Sequence, residues 1–501
     1  MAFVDQVRNP VREALTSGTF CYMVELVASR LTREAKLMHI ASQLAQVPGV
    51  VAGSITSYAG GAMGHDPIRV GTAARARGLT PNIHLTCVGR DRLDILRALE
   101  DLHALGIENV FALTGDYPKG HDPENSPYDV DSVQLIEIIN ELRQQGLPFH
   151  IAAAVSPFKY TEADCAYQYL KLEKKIAAGA DYAITQLGYD VRKFRELKRY
   201  LDERGLKTPV FGNVYVLGAK AAEKFTKAEP PGCWASRELA DQIAQESKAA
   251  DKGLAGRLER AAKTVAVLRG LGFAGAYLGG DHQADHIRWI IKRSEAIANK
   301  WEEYAEEITY APKGGFYFYE SPRVPKKRGF WVRVADLAEP ANWPKPLIAA
   351  MRPILRWIDK RPSTAQALES AEMAFKKPVF GCHACGNCVL GLMEYVCPMT
   401  CPKNLRNGPC GGTDNGRCEV IPEQACIWVS VYERAQAANR VDDLKVYIPP
   451  RNRSLQGTSS YINYVLERDS RPGRAQPLVQ ITGLTSPDSE ERELAKVVEH
   501  R

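Results

Sequence analysis

A closed (β/α)8 barrel of the TIM type, followed by a small Cys-rich domain that binds a metal or cluster, is the α/β fold this sequence predicts. Three observations carry it. Eight short β-rich apolar segments punctuate residues 20–280. Helix-patterned stretches lie between them, and alternating β and α with strands apolar on both faces means a parallel sheet that eight units can close. Eight of the 12 cysteines then fall between Cys382 and Cys426.

The strands read CYMVELV (21–27), VVAGSITSY (50–58), NIHLTC (82–87) and NVFALTGD (109–116) in the first half. HIAAAVS (150–156), YAITQLG (182–188), VFGNVYVL (210–217) and GAYLGG (275–280) follow. The stretches DRLDILRALEDLHALG (91–106) and DSVQLIEIINELRQQG (131–146) carry apolar residues at i, i+3 and i+4 and end in Gly, as a helix C-terminus prefers. An open doubly wound sheet would carry a Gly-rich phosphate turn after an early strand, and no GxGxxG stands there. The long gap at 218–274 holds FTKAEPPGCW and is expected on the catalytic rim. The barrel is assigned residues 1–310 and a surface connector 311–370. The Cys-rich domain is assigned 371–445, and a tail that wraps the body or is partly disordered 446–501.

The chain has 501 residues, 45% apolar and 25% charged, which excludes a fibrous or wholly disordered protein. No apolar run approaches the ~20 residues of a membrane-spanning helix. The opening MAFVDQVRNPVREAL has no apolar core of a secretory signal, so a cytoplasmic location is expected. A net charge of +6 gives no argument for nucleic acid or a membrane surface as partner.

In a barrel the chemistry sits at the C-terminal ends of the strands. Those ends offer Glu25, Thr56, His84, Thr86, Thr114, Gly115, Asp116 and Gln186. A carboxylate inside an apolar strand is costly without a partner, so Glu25 points to function. Gly-Asp after a strand is often only a turn, a strand His is more often a satisfied core residue, and Gln186 alone means little.

Taken in order, Glu25, HLTC, ALTGD and KKIAAGADYAITQ resemble the methylenetetrahydrofolate reductase family over roughly residues 15–290. The resemblance implies a barrel that binds FAD, with FMN the alternative, and reduces 5,10-methylenetetrahydrofolate to 5-methyltetrahydrofolate. It also implies that Glu25 is the general acid toward the folate and that Asp116 lies near flavin and pterin. Thr56, His84, Thr114, Gly115 and Tyr128 match flavin-contacting positions, Lys175 a residue that meets the flavin phosphates, and Gln186 a folate ligand. The chain departs from the family in three places. Thr114 stands where many members have Arg, VELVAS replaces FEFFPP, and AYLGGDH replaces FYTLNR.

The Cys-rich segment has the spacing C-x2-C-x2-C-x8-C-x3-C-x8-C-x7-C-x7-C, from Cys382, Cys385, Cys388, Cys397, Cys401, Cys410 and Cys418 to Cys426. Three cysteines at C-x2-C-x2-C, with Cys-Pro pairs after them, are ferredoxin-like, and eight thiolates suffice for two 4Fe-4S clusters. Zinc is the rival, for example with Cys382/Cys385 and Cys397/Cys401 as a tetrahedral set. His383 is read as a solvated loop residue, and a disulfide framework is disfavoured without a secretory signal. CxxCGxC followed by CPxxCPKxxxNGPCGG resembles the small Cys-rich partner of acetogen-type methylenetetrahydrofolate reductases, here fused. That resemblance implies electrons delivered through this domain, from ferredoxin or another donor protein. The alternatives kept are an NAD(P)H-dependent reductase with structural zinc and a folate-binding interaction protein. A homo-oligomer is left open.

Overall fold

The computed structural model describes residues 8–29, 33–56, 58–59, 62–122, 125–323 and 330–473. Its centre is a closed barrel of eight parallel strands, each paired with its neighbour in the chain and the last with the first. We label them β1 (Cys21–Val27), β2 (Val50–Thr56), β3 (Pro81–Thr86), β4 (Asn109–Leu113), β5 (His150–Val155), β6 (Tyr182–Thr185), β7 (Val210–Tyr215) and β8 (Gly275–Gly279). All eight fall on the segments read from the sequence, β3 beginning one residue earlier at Pro81.

Strand alternation decides what faces the barrel interior. In β1, Tyr22, Val24 and Leu26 pack outward against the helices, while Cys21 and Met23 point inward. The same period sends Ala276 and Leu278 of β8 outward and Tyr277 inward. The interior packs Met23, Phe111, Tyr182, Phe211 and Tyr277, with Val11 of the N-terminal helix Pro10–Ser17 in the same cluster. Polar side chains replace apolar ones toward the C-terminal ends of the strands, and there the site opens.

The Cys-rich domain sits on that end of the barrel. Asp131 joins the two. One carboxylate oxygen caps the helix Ser132–Gln144, accepting from the amides of Val133 and Gln134 at 2.9 and 3.2 Å. The other accepts from the amides of Arg406 and Asn407, both at 3.0 Å, and from Asn407 Nδ2 at 3.1 Å. Lys171, on the helix Glu162–Ala177, donates to Gly408 O and Pro409 O at 3.1 and 2.9 Å, and Gln168 to Cys410 O at 2.9 Å. Trp428 and Tyr432 pack with Tyr167 and Leu170 of the same barrel helix in one apolar cluster.

The segment read as a surface connector divides in two. Its first part does lie along the barrel, where Tyr317 Oη donates to Asp190 Oδ2 at 2.8 Å and Lys193 Nζ to Phe316 O at 2.9 Å. Its second part folds into helices Phe330–Ala338, Lys345–Asp359 and Pro362–Phe380, and the last of these crosses the boundary expected at 370/371. Pro346 and Pro362 sit in the first turns of the last two helices, where proline is tolerated because its amide has no helical acceptor. The tail joins the Cys-rich domain as far as it is described. The Ile448 amide donates to Asn407 Oδ1 at 2.8 Å, and Ile462 and Val465 pack with Leu355. Residues 474–501 of the expected tail lie outside the described residues. No helix among the described residues is long and apolar enough to cross a membrane.

Candidate active site

A cavity of about 280 Å³ opens at the C-terminal ends of the strands, under the Cys-rich domain. Glu25, Thr56, His84, Thr114, Gly115 and Asp116 line it, with Lys175 and Gln186 on the opposite wall's segments. Pro230, Pro231 and Cys233 of the long insertion after β7 contribute from the rim, as expected for that insertion. Lys403, Cys410, Gly411, Gly412 and Glu419 come from the other domain. Tyr128 is the one sequence-derived barrel candidate that does not line the cavity.

Glu25 follows Cys21 and Met23 on the inward face of β1, which is why a carboxylate in an apolar strand reaches the cavity. Burial pushes its carboxyl up to about 7, opposed in part by a hydrogen bond from Tyr277. Tyr277 Oη lies 3.5 Å from Glu25 Oε1 and 3.3 Å from His84 Nε2. His84 Nε2 is 2.9 Å from Ser54 Oγ, which accepts from Asn82 Nδ2 at 2.9 Å, and Tyr182 Oη donates to Asn82 Oδ1 at 3.3 Å. This chain of polar side chains descends from the cavity into the barrel. Burial lowers His84 to about 3, so its imidazole is neutral and acts as a polar relay, not a cation. Sequence reading missed Tyr277. The signal was available, because alternation on GAYLGG turns Tyr277 inward on the strand that pairs with β1.

At the end of β4, Gly115 has φ of 89°, and a Cβ there would meet Val88 Cγ1 at 2.9 Å. Tyr128 stands behind this turn and is buried. Its hydroxyl donates to Gly115 O and Asp116 O at 3.1 and 2.9 Å, so it fixes the turn from outside the cavity. Thr114 Oγ1 accepts from the Ser132 amide at 3.4 Å. Gln186 Oε1 accepts from the Leu187 amide at 2.9 Å, which holds its side chain across the end of β6.

The wall carries cations. Lys175 Nζ donates to Ala154 O at 2.5 Å, and burial lowers this ammonium to about 7. Burial also lowers Lys171, which lines the same cavity. Two buried polar atoms on the cavity wall, Ser156 Oγ and Asn213 Oδ1, have no hydrogen-bond partner in the protein. Buried polar atoms are normally paired, so both suit a polar ligand. Two buried ammoniums suit an anionic one. A flavin mononucleotide unit presents both kinds of group, a polar ring edge and a phosphate.

The eight clustered cysteines separate into two groups. Cys382, Cys385, Cys388 and Cys397 line one small cavity of about 30 Å³. Burial, then the neighbouring Cys385, Cys388 and Cys382 thiols, push Cys397 up to about 12. Lys376 donates to Cys388 Sγ at 3.7 Å. Cys401, Cys410, Cys418 and Cys426 form the second group. Burial is the largest influence on Cys401, Cys410 and Cys426, and further members of the group raise each of them. The zinc set offered from the sequence, Cys382/Cys385 with Cys397/Cys401, therefore divides between the groups. The C-x3-C spacing was short enough to suggest one site, but Pro398–Thr400 forms a turn of 3-10 helix that separates the two thiols. Among the described residues no three His, Cys, Asp or Glu side chains are gathered closely enough to hold a metal ion. None of the 12 cysteines forms a disulfide, and His383 is exposed, as read from the sequence.

Comparison with known proteins follows the same division. Residues 10–253 match the family model described as methylenetetrahydrofolate reductase, and residues 362–454 the model described as methylene-tetrahydrofolate reductase C terminal. The barrel is thus similar to the methylenetetrahydrofolate reductase family, and the Cys-rich part to its C-terminal domain. A "Probable methylenetetrahydrofolate reductase (NADPH)" of Caenorhabditis elegans is 29% identical over 154 residues, 30% of this chain and 22% of that one. The "5,10-methylenetetrahydrofolate reductase" of Salmonella typhimurium is 31% identical over 150 residues, 30% of this chain and 48% of that one. "Methylenetetrahydrofolate reductase 2" of Saccharomyces cerevisiae is 31% identical over 158 residues, 30% of this chain and 26% of that one. The chain thus spans less than half the length of these curated relatives.

Proposed function

We propose that this protein is a flavin-dependent oxidoreductase that reduces 5,10-methylenetetrahydrofolate to 5-methyltetrahydrofolate, with electrons delivered through the Cys-rich domain. The observation that carries the reading is Glu25, a cavity-facing carboxyl near neutrality that shares the cavity with the Gly115–Asp116 turn and two buried lysines. The cavity residues fit a flavin, with Lys171 and Lys175 toward its phosphates and Ser156 and Asn213 toward its polar edges. When bound, the flavin supplies the hydride.

The rest of the chemistry belongs to the chain. Opening the methylene bridge requires protonation of a weakly basic folate nitrogen, which leaves an iminium carbon as hydride acceptor. Glu25 is a suitable acid because burial keeps its proton near pH 7. Tyr277 positions the carboxyl, and Gly279 leaves it room, since a Cβ there would lie 3.1 Å from Glu25 Oε2. Asp116 and Gln186, which line the same cavity, would meet the pterin, and the Cys-rich domain above would exclude water.

The electron route rests on Cys410, which belongs to the second cysteine group and also lines the catalytic cavity. The ferredoxin-like C-x2-C-x2-C spacing belongs to the first group, and a cluster held by the second would reach the flavin through Cys410. A ferredoxin or similar protein is then the donor. The second reading is NAD(P)H as donor with structural zinc in the Cys-rich domain, and the C. elegans relative, named as an NADPH enzyme, favours its donor. Cys385→Ser with Cys388→Ser separates them in anaerobically prepared protein. On the first reading, iron and acid-labile sulfide fall together, reduction by an artificial dye persists, and reduction by a protein donor is lost. Zinc without sulfide, with both activities falling together because lost metal is lost folding energy, contradicts the electron route.

A further inference from the structure

Lys403 and Glu419 look like spacers in the sequence, two residues after Cys401 and one after Cys418. The fold gives them another place. Both side chains are buried, 3% and 4% exposed, and they form an ion pair with each other. Both line the barrel cavity, although neither belongs to the barrel. Lys403 Nζ donates to Gly115 O at 2.9 Å, and it lies 5.6 Å from the centroid of the Tyr128 ring that holds the same turn. Glu419 reaches this position only because Gly412 has no side chain, since a Cβ there would overlap the Glu419 carboxylate.

A buried ion pair is weak evidence for stability, because desolvating two charges offsets most of their attraction. The apolar contacts of Trp428 and Tyr432 with the barrel already hold the domains together. Yet the pair stands at the end of β4, where the barrel's own side chain is the neutral Thr114. We infer that Lys403 and Glu419 are positioning residues of the barrel's site, supplied by the Cys-rich domain, which fix the Gly115–Asp116 turn and set the charge felt by a flavin there. The barrel's site is then incomplete without the second domain. This inference rests on the flavin reading above.

The test uses the full-length holoprotein, with the flavin midpoint potential from dye equilibration and flavin affinity from fluorescence. A cation near the ring favours the electron-rich reduced form and an anion disfavours it. Lys403→Met is therefore expected to lower the potential, with the ratio of reduced to oxidised flavin affinity falling about tenfold, or about 30 mV for a two-electron couple. Glu419→Gln is expected to raise it by a similar factor, the double variant to return toward wild type, and Lys403→Arg to stay within about twofold. A purely structural pair would not give opposite signs. Potentials within twofold of wild type in both single variants, or shifts in the same direction, overturn the inference. Should Lys403→Met fail to fold, the sign for Glu419→Gln decides alone. A wild-type protein that binds no flavin overturns the cofactor reading itself, and the inference with it.

Discussion

Glu25→Gln is expected to retain flavin and folate binding and to lose folate reduction by about 10²–10⁴-fold, the range that general acid catalysis supplies. The amide is isosteric and has no proton to give. The pH dependence follows from the same residue. Burial raises the Glu25 carboxyl to about 7, so its acid form prevails below that pH and is lost as pH rises through it. Turnover limited by this proton should therefore fall on the alkaline side of about pH 7 and be level below it, until another group titrates. Steady-state rates from pH 5.5 to 9 with saturating folate check both points. A variant with more than half the wild-type turnover removes Glu25 from the mechanism.

Asp131→Ala is expected to produce the largest loss of stability. Its carboxylate caps the helix Ser132–Gln144 and accepts three hydrogen bonds from Arg406 and Asn407 across the domain boundary. Loss of the cap costs about 0.5–2 kcal/mol, and the Arg406 and Asn407 amides left without an acceptor cost about 1–3 kcal/mol each, for a total of roughly 2.5–8 kcal/mol. The midpoint of thermal unfolding should then drop on the order of 10 °C, at roughly 2–4 °C per kcal/mol for a domain of this size class. Proteolytic release of the Cys-rich domain should become faster. A midpoint within a degree of wild type would show that Asp131 does not join the domains.

The barrel was legible because each of its strands is a short apolar run between amphipathic helices, and a parallel sheet requires that pattern. Glu25 was legible for the opposite reason, as a charge that an apolar strand has no structural use for. The helices at Lys345–Asp359 and Pro362–Phe380 were not, since the first falls in the segment read as a surface connector and the second begins in it. Tyr128 was read only as a flavin-contacting position; it lies behind the Gly115–Asp116 turn and off the cavity wall, and sequence order does not distinguish the two. Lys403 and Glu419 lay beyond sequence reading for a different reason. Their distance from Gly115 is set by docking of a second domain some 290 residues further along, and no local pattern records such a contact.

The central claim joins a flavin, a folate and Glu25 in one cavity, and one measurement tests it most directly. Anaerobic holoprotein is reduced with light, mixed with 5,10-methylenetetrahydrofolate in a stopped-flow cell, and followed by flavin absorbance with product analysis. The account predicts flavin reoxidation with one 5-methyltetrahydrofolate formed per flavin in the wild-type protein, and at least about a hundredfold slower reoxidation in Glu25→Gln. Reduced flavin that persists in the presence of the folate, or equal rates in the two proteins, would contradict it.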